Sequence, residues 1–145
     1  MKENIALTLN SLELLKHTLY KDYSFPEELE ALNLTQERIL MTVKYGHNLP
    51  MVTIARAIGL EKGPFSQTVD KLEALQLLVR QRSTTDKRTI FLQLTPKGKQ
   101  LADIVEASMD AHFKTKLSAL SPQALQDFLN ALAVLHTTAN LLNAK

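Results

Sequence analysis

The chain has no cysteine, which excludes disulfide bonds, thiolate metal sites and thiol-based redox sensing. Glycine and proline are scarce, four and five in 145 residues. There is no material for a long flexible linker, so residues 1–145 read as one domain large enough to bury a core. No apolar run approaches the roughly 18 residues a membrane-crossing helix needs. Met1–Leu9 lacks the apolar stretch of a secretory signal, so a cytoplasmic location without a membrane partner is expected. There is no glycine-rich phosphate loop, no nucleophile elbow and no histidine set beside paired carboxylates, so neither catalysis nor a cofactor is expected. Of the four histidines (His17, His47, His112, His136), none pair at i, i+4, and Ser108 stands one turn before His112. A metal centre needs three or four converging ligands, and none is expected here.

What is present is an uneven charge. Pro50–Lys99 holds nine basic residues (Arg56, Lys62, Lys71, Arg80, Arg82, Lys87, Arg88, Lys97, Lys99) against four acids, a net of +5. The remainder of a chain whose total is +2 therefore carries −3. A cationic middle between mildly acidic ends suits a polyanionic partner.

The hydrophobic spacing predicts mostly helix. Ile5, Leu9, Leu12, Leu15 and Leu19 make residues 3–20 an amphipathic helix, followed by an acidic connection through Pro26. A second helix opens at Leu34-Thr35-Gln36-Glu37 with Thr35 as its expected cap. It buries Ile39, Leu40 and Val43 and stops at Gly46. Leu49–Val52 is expected to form a single extended rung, and Thr53–Ile58 a short helix ending at Gly59. Lys62-Gly63-Pro64 reads as a break, after which a third helix runs from Phe65 to about Leu75 with Val69, Leu72 and Leu75 inward. The period then becomes two: Val79 and Gln81, then Ile90, Leu92 and Leu94, form two strands around the polar tip Ser83–Arg88. Thr95-Pro96 and Ser121-Pro122 are each a cap followed by proline at the first helical position. They open two long helices, the first reaching about Leu117. The second carries a stripe of Leu125, Phe128, Leu129, Leu132, Leu135, Ala139 and Leu142. The fold class expected is mainly α with a small β-hairpin.

Helix, tight turn, helix and basic hairpin is the winged helix-turn-helix arrangement. One helix enters the major groove of double-stranded DNA while the hairpin carries positive charge to the neighbouring groove. Ser66, Gln67, Thr68 and Lys71 lie on the helix face opposite Val69 and Leu72, offering hydroxyls, an amide and an ammonium to bases and phosphates. Arg82, Asp86, Lys87 and Arg88 belong to the hairpin. Between Arg80 and Lys99, six basic residues stand against Asp86 alone.

The run Thr85-Asp86-Lys87-Arg88-Thr89-Ile90-Phe91-Leu92-Gln93-Leu94-Thr95-Pro96-Lys97-Gly98 resembles the wing signature of the MarR family, an Asp-x-Arg, a strand and Leu-Thr-x-x-Gly. Leu34-Thr35 through Ile39-Leu40, Ile54-Ala55 and Leu72-Glu73 follow that family in order and spacing, so the resemblance covers residues 34–101 best. It implies a transcriptional regulator, most simply a repressor. Residues 34–99 would form the DNA-binding module, and 1–22 with 100–145 the dimerisation helices. Two copies would straddle a pseudo-palindromic operator. The resemblance makes Arg88 the residue that enters or lines the minor groove, where an arginine reads shape more than bases. Asp86 would hold the tip through an ion pair with a neighbouring arginine, for which Arg82 is the partner unless it contacts phosphate. It also implies a small aromatic or lipophilic effector, for which His17, Met41 and Tyr45 are the candidate lining.

The sequence departs from the family pattern twice. Gln76-Leu77 stands where the family places a glycine before the wing, so the turn has to be made without glycine's freedom at positive φ. Gly63-Pro64 precedes the reading helix and shifts which residues reach the bases. The alternative to a regulator is a winged-helix adaptor that binds protein. That reading requires an apolar or acidic reading face and a neutral wing, the opposite of Lys71 with Arg82, Lys87 and Arg88.

Overall fold

The computed structural model describes residues 3–144 except Glu30 and His47. Of the histidines weighed as metal ligands, His47 therefore lies outside the described residues. Helices α1 (Ile5–Tyr20), α2 (Leu34–Tyr45), α3 (Met51–Ile58) and α4 (Lys62–Ala74) lead into strands β1 (Leu78–Arg82) and β2 (Ile90–Leu94). Helices α5 (Pro96–Leu117) and α6 (Pro122–Asn143) complete the chain. The strands pair antiparallel from Leu78 opposite Leu94 to Arg82 opposite Ile90. Pro50 adds one bridge to Phe91, so the expected rung is one residue wide and Met51 already begins α3.

The core lies where α2, α3, α4, the hairpin and the first half of α5 meet. Ile39, Leu40, Ile54, Phe65, Val69, Leu72, Leu78 and Val105 are all buried there. Leu29 and Leu32 join it from the acidic connection, where Leu29 closes a 3-10 turn over Glu27–Leu29. Lys44 ties α2 to α5 through Asp103 and Glu106, each at 2.5 Å. The hydrogen bonds it donates to those two carboxylates hold the Lys44 ammonium above its ordinary pKa. At the far end of the joint, the Tyr20 ring meets Phe113 edge-on at 5.2 Å, and the Tyr23 hydroxyl bonds Ser108 at 2.9 Å.

Three sequence expectations are corrected here. The cap of α2 is Asn33, not Thr35: its side chain accepts from the Gln36 amide, and Gln36 reaches back to the Asn33 amide, which closes a capping box. Lys62-Gly63-Pro64 is no break but the first turn of α4. Proline at the third helical position removes an amide that has no intrahelical partner in any case, and its ring faces no helical carbonyl behind it. Leu75, expected inside, is 39% exposed at the end of α4, while Phe65 takes the inward place one turn before Val69. The caps at Thr95 and Ser121 form as expected, accepting from Gly98 and Ala124.

Candidate nucleic-acid interface

Helix α4 turns Phe65, Val69 and Leu72 into the core. That rotation leaves Gly63, Gln67, Lys71 and Ala74 along one exposed line, with Ser66 and Thr68 half-buried at its margins. The Thr68 hydroxyl donates to the Pro64 carbonyl at 3.0 Å, so its hydrogen serves the helix and its lone pairs face outward. Of the four reading residues singled out from sequence, Gln67 and Lys71 are the two displayed most openly.

The turn from α4 into the wing is made by Gln76 at φ +62°, in the left-handed region. Its amide donates to Glu73, and the Leu77 amide donates back to Leu72 at 3.0 Å. This is a Schellman closure with glutamine where glycine is the usual residue. The turn therefore closes without a glycine. It costs about 1 kcal/mol of backbone strain. Buried Leu77 and Leu72 provide the apolar contact that accompanies this motif. Lys97 adds a clamp, its ammonium donating to the Leu75 carbonyl at 3.2 Å.

The Leu-Thr-x-x-Gly run has a physical basis. Thr95 donates its hydroxyl to the Gln76 carbonyl at 2.6 Å, and the same oxygen accepts from the Gly98 amide at 2.9 Å. The Leu77 carbonyl also accepts from the Thr95 amide. It lies so close to Gly98 that a Cβ there would stand 1.8 Å from its oxygen. Glycine at 98 is what lets α5 start directly against the base of the wing.

Asp86 shapes the wing tip, though not through an ion pair. One carboxylate oxygen accepts from the Arg88 amide and the other from the Thr89 hydroxyl, both at 3.0 Å. Ser83 braces the opposite side by accepting from the Thr85 and Asp86 amides. Arg82 donates to the Lys87 carbonyl across the tip. A short aspartate satisfies turn amides better than it could reach a guanidinium. Lys87 and Arg88 are left exposed on a loop whose backbone is pinned.

Charge counting alone missed the role of Arg80. The strand's inward residues are Leu78 and Arg80, not Val79, which is 44% exposed, or Gln81. From that face Arg80 pairs with Asp70 at 2.8 Å and with Glu73, and it donates to the Ser66 carbonyl at 3.3 Å. All three partners lie on α4. Arg80 is therefore neutralised as a cation and serves as the strut that lays the hairpin alongside the helix. Asp70 and Glu73, one turn apart and facing a strand arginine, were the available signal.

The three effector candidates lie on two helices, His17 on α1 and Met41 with Tyr45 one turn apart on α2. His17 is exposed on α1 and Met41 packs half-buried against the core. Tyr45 is exposed at the end of α2 with the Lys44 ammonium 5.2 Å from its ring centre. Among the described residues no hydrogen bond or aromatic contact joins them. The same residues contain no cluster of three or more potential metal ligands, and no helix among them is long and apolar enough to cross a membrane.

Residues 32–90 match the profile of the MarR family. The chain is 33% identical over 95 residues to the HTH-type transcriptional regulator MhqR of Bacillus subtilis, an alignment covering 66% of each protein, just short of two thirds. A MarR-family transcriptional regulator from Silicibacter pomeroyi superposes with a TM-score of 0.62 at 25% identity, over 89% of this chain and 84% of that one. Streptococcus pneumoniae FabT, solved in complex with DNA, superposes with a TM-score of 0.60 at 14% identity, over 96% and 94% of the two chains; that likeness concerns the fold. With its wing signature, its capped α5 and this match along the module, the chain carries a MarR-family domain over residues 32–90 and is similar to winged helix-turn-helix transcriptional regulators of that family.

Proposed function

We propose that the protein binds double-stranded DNA sequence-specifically as a homodimer, with α4 in the major groove and the wing in the adjacent minor groove, and that it represses transcription from the cytoplasm without catalysing a reaction. What carries this is the strut between the two cationic elements. Arg80 holds β1 against α4, so the exposed Gln67 and Lys71 and the exposed Lys87 and Arg88 belong to one rigid unit. Gln67 reads base edges, Lys71 contacts phosphate or guanine, and Ser66 and Thr68 accept or donate at the margins. Arg88 lines the minor groove with Lys87 beside it. Arg82 and Asp86 act by holding the tip in shape.

The domain division follows the same reading: 34–99 as the reading module, 1–22 and 100–145 as dimerisation helices. Helix α6 buries no residue within its own chain, and Leu129, Leu132 and Leu135 are exposed along it, as are Ile5 and Leu9 on α1. Apolar faces of that extent call for a partner, and in this family reading it is a second copy. A small aromatic or lipophilic effector that releases the operator completes the proposal, with His17, Met41 and Tyr45 as its candidate lining.

Selection of bound sequences from a random duplex library is the test. Recovery of an inverted repeat with half-sites about one helical turn apart supports the dimeric reader. A library returned without enrichment, at low salt, overturns it.

A further inference from the structure

The core holds one ionisable group that none of the interface uses. Glu37, in the first turn of α2, is 2% exposed, and its Oε2 has no hydrogen-bond partner among the described residues. Burial of an unpaired carboxylate is expensive, and such a group avoids the cost by keeping its proton. The end of α1 packs close by, against α5 and the edge of this core. Tyr20, near the end of α1, reaches the Met109 sulfur of α5 at 3.9 Å and packs its ring on Phe113. Lys16 and Tyr20 face Glu37 electrostatically from α1, and Arg38 from its own helix. Helix α5 brings buried Val105 and Met109 to this core. The α5 acids nearest in sequence, Asp103 and Glu106, are occupied by Lys44. His112 lies at the far end of the joint, its Nε2 3.1 Å from the Lys21 carbonyl.

We propose that Glu37 is a proton-operated latch between α1 and the winged module. Protonated, it is a neutral part of the core and lets α1 rest on α5 beside it. Ionised, it requires a donor, and the hydroxyl of Tyr20 and the ammonium of Lys16 are both on α1. Loss of the proton therefore acts on the helix that carries the exposed Ile5 and Leu9, resetting the angle at which a second subunit meets the module. The part concerning DNA rests on the function proposed above.

Burial first, offset by Arg38 and then Lys16, pushes the Glu37 carboxyl up to about 7. The folded chain then keeps a proton that the unfolded chain releases above its ordinary value near 4.5. Stability falls as pH rises between those two values and levels off above the upper one.

The test follows wild type, Glu37→Gln and Glu37→Leu, in unfolding and in binding to a selected duplex, from about pH 5 to about pH 8.5 at fixed salt. Wild type should lose up to about tenfold in folding constant per pH unit across the window, a slope absent from both variants. Its duplex affinity should fall roughly fivefold or more between about pH 6 and about pH 8.5, with the variants flat. Parallel unfolding profiles for all three proteins overturn the latch. A Glu37-dependent unfolding slope with parallel affinity profiles overturns its coupling to DNA. A slope with no duplex bound at any pH upholds the proton held at Glu37 and removes the DNA reading instead.

Discussion

Gln76 holds a glycine's conformation at the exit of the reading helix, and the strain it carries is measurable. Gln76→Gly keeps the Leu77–Leu72 hydrogen bond and relieves the left-handed penalty. We expect a gain of about 0.5–1 kcal/mol, seen as a raised thermal midpoint with unchanged circular dichroism. At Gly98 the sign reverses. Gly98→Ala drives a methyl into the Leu77 carbonyl and should cost about 3 kcal/mol or more by chemical denaturation, since only a backbone shift can relieve the clash. The sequence showed that a glycine was absent at 76, but not that the chain would take the left-handed turn regardless. That depends on what Leu77 gains by burial. Asn33 was legible in principle, because Gln36 three residues later is the capping-box spacing. Glu37 was not, because a glutamate on a helix's first turn reads as solvated until the packing around it is known.

The elements themselves were largely written in hydrophobic spacing: both long helices with their caps, the hairpin and the basic tip. Errors arose where backbone rules compete. Gly63-Pro64 reads as a break by composition, yet costs nothing in a first turn. In β1 the inward place after Leu78 is taken by Arg80, while Val79 and Gln81 face outward. The relation between two elements depends on that arginine. Arg80→Ala should leave helix content unchanged and lower stability by about 1–2 kcal/mol. Amide exchange in β1 should rise above that in α2. A double-mutant cycle with Asp70→Asn should return a coupling of about 0.5–1 kcal/mol, modest because Asp70 is largely exposed. Equal exchange in wild type and variant would show that the hairpin is oriented by something other than the strut.

For the molecule as a whole, the exposed apolar faces of α1 and α6 predict a dimer in solution, and analytical ultracentrifugation at micromolar concentration checks it. The two faces were visible in the sequence as stripes, but only the structure shows that Ile5 and Leu9 on α1 and Leu129, Leu132 and Leu135 on α6 stay exposed. A dimer formed through them would present two reading units to one duplex. The most direct measurement is a salt-controlled titration of a selected operator duplex with wild type and Arg88→Ala. The account predicts affinity that falls steeply with salt and a loss of about 1–3 kcal/mol on removing the wing arginine. An Arg88→Ala curve superimposed on wild type at every salt concentration would contradict it.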